Sequence, residues 1–116
     1  RRMGESGRLY VFEAPIDLLS YITLYPEAWQ CHSYVALCGV GGQAMMKMLE
    51  LNPQLREVSL CLDNDEAGHK AAERLQNQLA ESGYRCHRLI SQEKDWNEDL
   101  LSLREQAQMP QAMVMT

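Results

Sequence analysis

The chain has little of several things. It holds one phenylalanine and four prolines among 116 residues. No stretch approaches the roughly 20 apolar residues that a membrane span needs, and no charged-then-apolar leader stands at its start, so no membrane partner is expected and the setting is read as cytoplasmic. It opens Arg-Arg-Met-Gly rather than on an initiator methionine, and a piece of a longer protein is expected. Basic charge is scarce as well. Eleven Lys and Arg stand against 16 Asp and Glu, a net charge of −5, which works against autonomous nucleic-acid binding because duplex affinity rests on cations neutralising phosphates. The four cysteines form no C-x-x-C pair. That removes the usual spacing of a zinc site and leaves reduced core thiols as the expectation.

What is present is enough for one core. With 46% hydrophobic residues, the length fits a single domain spanning 1–116 and is too short for two. Residues 8–12 (RLYVF) read as a strand, and Pro15 suits the first turn of the helix that follows, IDLLSYITLY. Residues 33–38 (SYVALC) read as a second strand closed by the Gly39-x-Gly41-Gly42 turn. QAMMKMLEL then has helical spacing, with Met45, Met48 and Leu49 on one side. A third strand covers 57–62. The best helix covers 66–82, with Ala71, Leu75 and Leu79 in phase and Gly83 placed to end it. Residues 84–90 form a fourth strand, a last helix carries Leu100, Leu101 and Leu103, and the Met-rich tail after Pro110 reads as frayed or partner-dependent.

Strand and helix alternating at this pace predict an α/β fold, a mostly parallel sheet with helices on both faces. Working groups in such sheets gather at the carboxyl ends of the strands. Glu13 follows strand one, Asp63-Asn64-Asp65 follows strand three, and Lys94-Asp95 follows strand four. In extended chain, residues two apart point the same way, so Asp63 and Asp65 project together. Two carboxylates about 5 Å apart at an effective dielectric near 20 repel by roughly 3 kcal/mol, which a divalent cation would remove. Magnesium fits, since it takes oxygen ligands from one or two carboxylates and keeps positions for water and phosphate; manganese is the alternative.

The same residues have ordinary uses. Asp65 can cap the long helix. Asp17 falls in the first turn of helix one, where it complements the dipole, and Asp95-x-x-Glu98 matches a capping box; Asp17, Asp95 and Lys94 are accessory candidates for the site. His69 reads as exposed. Lys70 and Arg74, four apart, read as a solvated face with a possible contact to phosphates.

The segments "YVFEAPIDLLSY", "VALCGVGGQ", "SLCLDNDEAGHKAAERL" and "KDWNEDL" stand in the order and spacing of a Toprim domain, and residues 8–103 resemble that family closely. The nearest likeness is to primase-type Toprim domains of plasmid and mobile-element proteins. The resemblance implies a three-layer, Rossmann-like sheet. It implies Glu13 as general acid/base or metal ligand, and Asp63 with Asp65 as the magnesium pair. Gly68 matches the D-x-D-x-A-G continuation, and Lys94-Asp95 matches the Lys-Asp ahead of the last helix, with Asp95 as an accessory acid. Ala14 stands where the family often has glycine and His69 where arginine is common, which puts one phosphate contact in doubt.

Such a site implies phosphoryl transfer, by a primase-like nucleotidyltransferase or an enzyme of topoisomerase or nuclease type, in which a metal neutralises phosphate charge and a carboxylate handles a proton. DNA or RNA would be reached through other domains of the parent protein, with nucleotides as further partners. Two other readings compete: a Toprim-fold module that binds metal and partners without catalysis, and a phospho-acceptor receiver domain, which also places acids at the ends of strands one and three.

Overall fold

The computed structural model describes residues 6–39 and 41–108. Four strands form one wholly parallel sheet in the order β2-β1-β3-β4. They are β1 (Arg8–Phe12), β2 (Ser33–Ala36), β3 (Glu57–Leu60) and β4 (Arg85–Arg88), separated by α1 (Pro15–Leu24), α2 (Gln43–Leu51) and α3 (Glu66–Glu81) and followed by α4 (Trp96–Gln108). The expected α/β, three-layer architecture is the one observed.

Alternation along the strands builds the layers. Leu9, Val11, Val58 and Leu60 turn to one face and join Met45 and Leu49 of α2 and Ala72, Leu75 and Leu79 of α3 in one core. Tyr10, Phe12 and Cys61 turn to the other face, where Leu18 and Tyr21 of α1 and Trp96 of α4 cover them. Within α3 the buried stripe is Gly68, Ala72, Leu75 and Leu79, so Ala72 takes the central place that spacing alone assigns to Ala71.

The strands are shorter than their apolar runs. β2 stops at Ala36 and β3 at Leu60, although Leu37, Cys61 and Leu62 remain buried. Single ladder bonds continue past the ends, Leu37 N–H to Phe12 O at 2.8 Å and Cys61 N–H to Val11 O at 2.7 Å. The run of buried residues therefore outlasts the regular pairing. The cysteines also depart from expectation: all four are free thiols, but only Cys61 is buried, while Cys38 is exposed and Cys31 and Cys86 are half-buried. The tail after Pro110 lies outside the described residues.

The strand order fixes where a site can form. The chain leaves β1 toward β2 with α1 on one face, and leaves β3 toward β4 with α3 on the other. Neighbouring strands thus send their connections in opposite directions, and a crevice opens at the carboxyl ends of β1 and β3.

Candidate metal centre

Three helices begin at that crevice, and each carries an aspartate at its start. Asp65 caps α3, its Oδ1 accepting the Gly68 N–H at 2.7 Å. Asp95 Oδ1 accepts the Glu98 N–H at 2.8 Å ahead of α4. Asp17 lies in the first turn of α1, only 4% exposed. Helix N-termini carry partial positive charge, so the fold softens a gathering of acids that bare Coulomb repulsion would scatter.

The closest gathering is Asp17, Asp63 and Asp95, which each offer a carboxylate oxygen within 4.8 Å of the others. Glu13 and Asp65 stand outside that group yet near enough to act on it. Burial pushes the Asp63 carboxyl up to about 6, and the charges of Asp17, Glu13, Asp95 and Asp65 add to the shift. Burial also raises Asp17; an N–H bond from Asn97 opposes this, and the charges of Asp95, Glu13 and Glu98 reinforce it.

The loop holding Asp95 is tied to the Asp63 turn by backbone chemistry. Asn64 N–H donates to Lys94 O at 2.6 Å and its side-chain amide donates to Ser91 O at 2.9 Å. Asp99 accepts the N–H groups of Gln92 and Glu93. Trp96 Nε1 donates to Cys61 O at 2.9 Å, fastening the start of α4 to the end of β3. Lys94 thus enters the site through its carbonyl. Lys70 pairs with Glu66 at 3.0 Å on the exposed face of α3.

Asp63 Oδ1 is buried and, among the described residues, receives no hydrogen bond. A buried acceptor left bare is costly, and a cation held by Asp17, Asp63 and Asp95 would satisfy it. The donor set is all carboxylate oxygen, the chemistry of a hard divalent ion.

Spacing points to Asp63 with Asp65 and the resemblance adds Glu13, with Asp95 and Asp17 as accessory acids. Packing brings Asp17 and Asp95 to Asp63 and gives one Asp65 oxygen to helix capping, while Glu13 and Asp65 act on Asp63 through their charge. The helix-start places read for Asp17 and Asp95 are the ones observed, and Asp17 is in addition buried and accepts the N–H of Asn97 on α4. Sequence reasoning overlooked Arg88, whose guanidinium lies under the Asp63 turn. An arginine in phase with Cys86, on the core side of a strand, was its one visible signal.

A family model described as Toprim-like matches residues 10–100. An uncharacterized protein of Mycoplasma pneumoniae, the MG010 homolog, is 32% identical over 100 residues, which are 84% of this chain and 44% of the relative. The uncharacterized Bacillus anthracis protein pXO2-78 is 36% identical over 77 residues, 62% of this chain and 22% of its own length. The chain therefore spans less than half the length of these curated relatives. Among solved structures, the primase fragment of the bacteriophage T7 primase-helicase protein aligns with a TM-score of 0.62 at 28% identity, covering 90% of this chain and 43% of that one. A protein from Aquifex aeolicus shares the fold with a TM-score of 0.56 at 14% identity, covering 90% of this chain and 81% of that one. Receiver domains share the strand order seen here, so topology alone does not separate the two; the family match does.

Proposed function

The chain belongs to the Toprim-like family, and from that premise we propose that it is the magnesium-dependent phosphoryl-transfer module of a larger primase-like protein of plasmid or mobile-element type, acting in DNA replication. The observation that carries the reading is that Asp63, whose Oδ1 is buried and unsatisfied, offers a carboxylate oxygen within 4.8 Å of those of Asp17 and Asp95. The likeness to the T7 primase fragment supports the primase side of it. In this reading Asp17, Asp63 and Asp95 would hold the ion, with Asp65 as a further acid of the site, and manganese could replace magnesium.

When bound, the ion neutralises phosphate charge and orients the attacking oxygen. Glu13, directly after β1, holds or moves a proton beside it. Trp96 and Asn64 keep the two acidic loops in register, so the carboxylates need little rearrangement as charge develops. Template and nucleotide surfaces come from flanking parts of the parent protein, because a chain of net charge −5 is poorly suited to gather phosphates alone. Four free thiols support a reducing, cytoplasmic setting.

The test is template-dependent nucleotide incorporation by the parent protein with magnesium or manganese, wild type against Asp63→Asn and Glu13→Gln. Loss of synthesis in both variants is expected. Synthesis at the wild-type rate in Asp63→Asn would remove the catalytic reading, and metal binding without any turnover would favour a non-catalytic Toprim module.

A further inference from the structure

Arg88 serves none of the roles described so far. It closes the edge strand β4, and alternation puts it in phase with Cys86, which packs on the α2/α3 core. Burial lowers the pKa of its guanidinium, opposed by the charges of Cys61, Asp63, Glu13 and Asp65. The desolvation is offset by an unusually full set of acceptors. Nη1 donates to the carbonyls of Leu60 at 3.2 Å, Leu62 at 2.9 Å and Leu89 at 3.0 Å. Nη2 donates to the carbonyl of Asp63 at 3.0 Å and to His69 Nδ1 at 3.2 Å. Arginine carries no acceptor, so Nδ1 must be the unprotonated nitrogen of His69.

Leu60, Leu62 and Asp63 are the stretch that carries the chain out of the sheet and into the acidic turn. On the other side of that turn, a Cβ on Gly68 would collide with the Asp63 carbonyl. The Asp63 peptide is thus gripped between a guanidinium fork and the first turn of α3.

We propose that Arg88 is the positioning residue of the carboxylate site: its fork fixes the turn after β3 so that Asp63 meets Asp17 and Asp95, and it sets a fixed positive charge behind their cluster. The proposal rests on the reading that this cluster holds a divalent cation. Both parts of the role need arginine. An ammonium retains the charge, but it lacks the planar fork that reaches several carbonyls at once. Groups that orient metal ligands from behind change affinity by about 10- to 100-fold when removed.

The experiment is calorimetric titration of magnesium chloride into the 116-residue chain, well below the melting temperature of each protein. Wild type is compared with Arg88→Met, Arg88→Lys and Arg74→Met, the last removing an exposed arginine from α3. Expected are about 10- to 100-fold weaker binding in Arg88→Met and a loss of about 10-fold in Arg88→Lys, with wild-type affinity in Arg74→Met. A merely structural arginine would lower the melting temperature and leave the affinity of the folded protein unchanged, and that result overturns the proposal. If Arg88→Met does not fold, Arg88→Lys decides, and affinity within about twofold of wild type refutes the role; this is well short of the range seen for such groups. Wild type that takes up no magnesium overturns the metal reading and this proposal together. Equal binding in wild type and both Arg88 variants overturns this proposal alone.

Discussion

Asp17 on α1 accepts the backbone N–H of Asn97 on α4 at 3.2 Å, across 80 positions of sequence. Ser20 reinforces the junction by donating to Asn97 Oδ1 at 3.2 Å. This contact seats a buried carboxylate beside Asp63 and Asp95, so Asp17 joins the acidic cluster from the first turn of α1.

Asp17→Asn keeps an oxygen acceptor for Asn97 but removes a charge. The metal-free variant is expected to melt no lower than wild type and to lose most of its stabilisation by magnesium. Asp17→Ala also removes the acceptor and leaves a buried N–H bare, so it should lose about 1 to 3 kcal/mol as well. Melting curves with and without magnesium at fixed ionic strength distinguish these outcomes. A full magnesium response in Asp17→Asn would exclude this residue from the site.

Asp63 is the sharper case. If magnesium binds only the folded chain, a free concentration of about ten times the dissociation constant stabilises it by roughly 1.4 kcal/mol. For a domain of this size that is a rise of about 4 to 8 °C in Tm. Asp63→Asn should melt at or above metal-free wild type and show little of this rise, since it relieves repulsion and removes a ligand together. Equal magnesium shifts in the two proteins would refute the assignment.

The acidic cluster also sets a pH dependence. Asp63 titrates at about 6 in the folded chain, above the unfolded value of about 3.9. A raised carboxyl binds its proton more tightly when folded, so its contribution is complete below about pH 4 and is lost as pH rises through about 6. Solvent reaching this half-buried carboxyl holds the effect to about 1 kcal/mol. The raised Asp17 acts in the same direction. Metal-free wild type should therefore lose stability relative to Asp63→Asn across this window, with magnesium reversing the loss. A difference in Tm that stays constant with pH would count against the shift.

Gly68 predicts a reversal of an ordinary rule. Glycine to alanine inside a helix usually stabilises by up to about 1 kcal/mol. Here the added Cβ would meet the Asp63 carbonyl, which is backbone and cannot swing away. Gly68→Ala should destabilise by about 1 to 3 kcal/mol and weaken magnesium binding by displacing Asp63. Denaturant unfolding measures the first effect and calorimetry the second. A stabilised variant would show that the turn yields more easily than its geometry implies.

The order of strands and helices, the two buried faces and the acidic rim were legible in the sequence. These depend on local periods: alternate residues in RLYVF and EVSL sort to opposite faces, and a carboxylate directly after a strand falls at its carboxyl end. Asp63 was legible for that reason. Asp17 and Asp95 were legible only as accessory acids, because a helix-start role or a cap already explains each of them, and Arg88 at the end of a strand gave no sign of a role. Long-range packing alone joins α1 to α4 through Asn97, fastens Trp96 to Cys61 O and brings the guanidinium from β4 under the turn after β3. Those contacts join segments far apart in the chain, so no spacing along it encodes them. Which carboxylate meets which is set by how the crossovers pack.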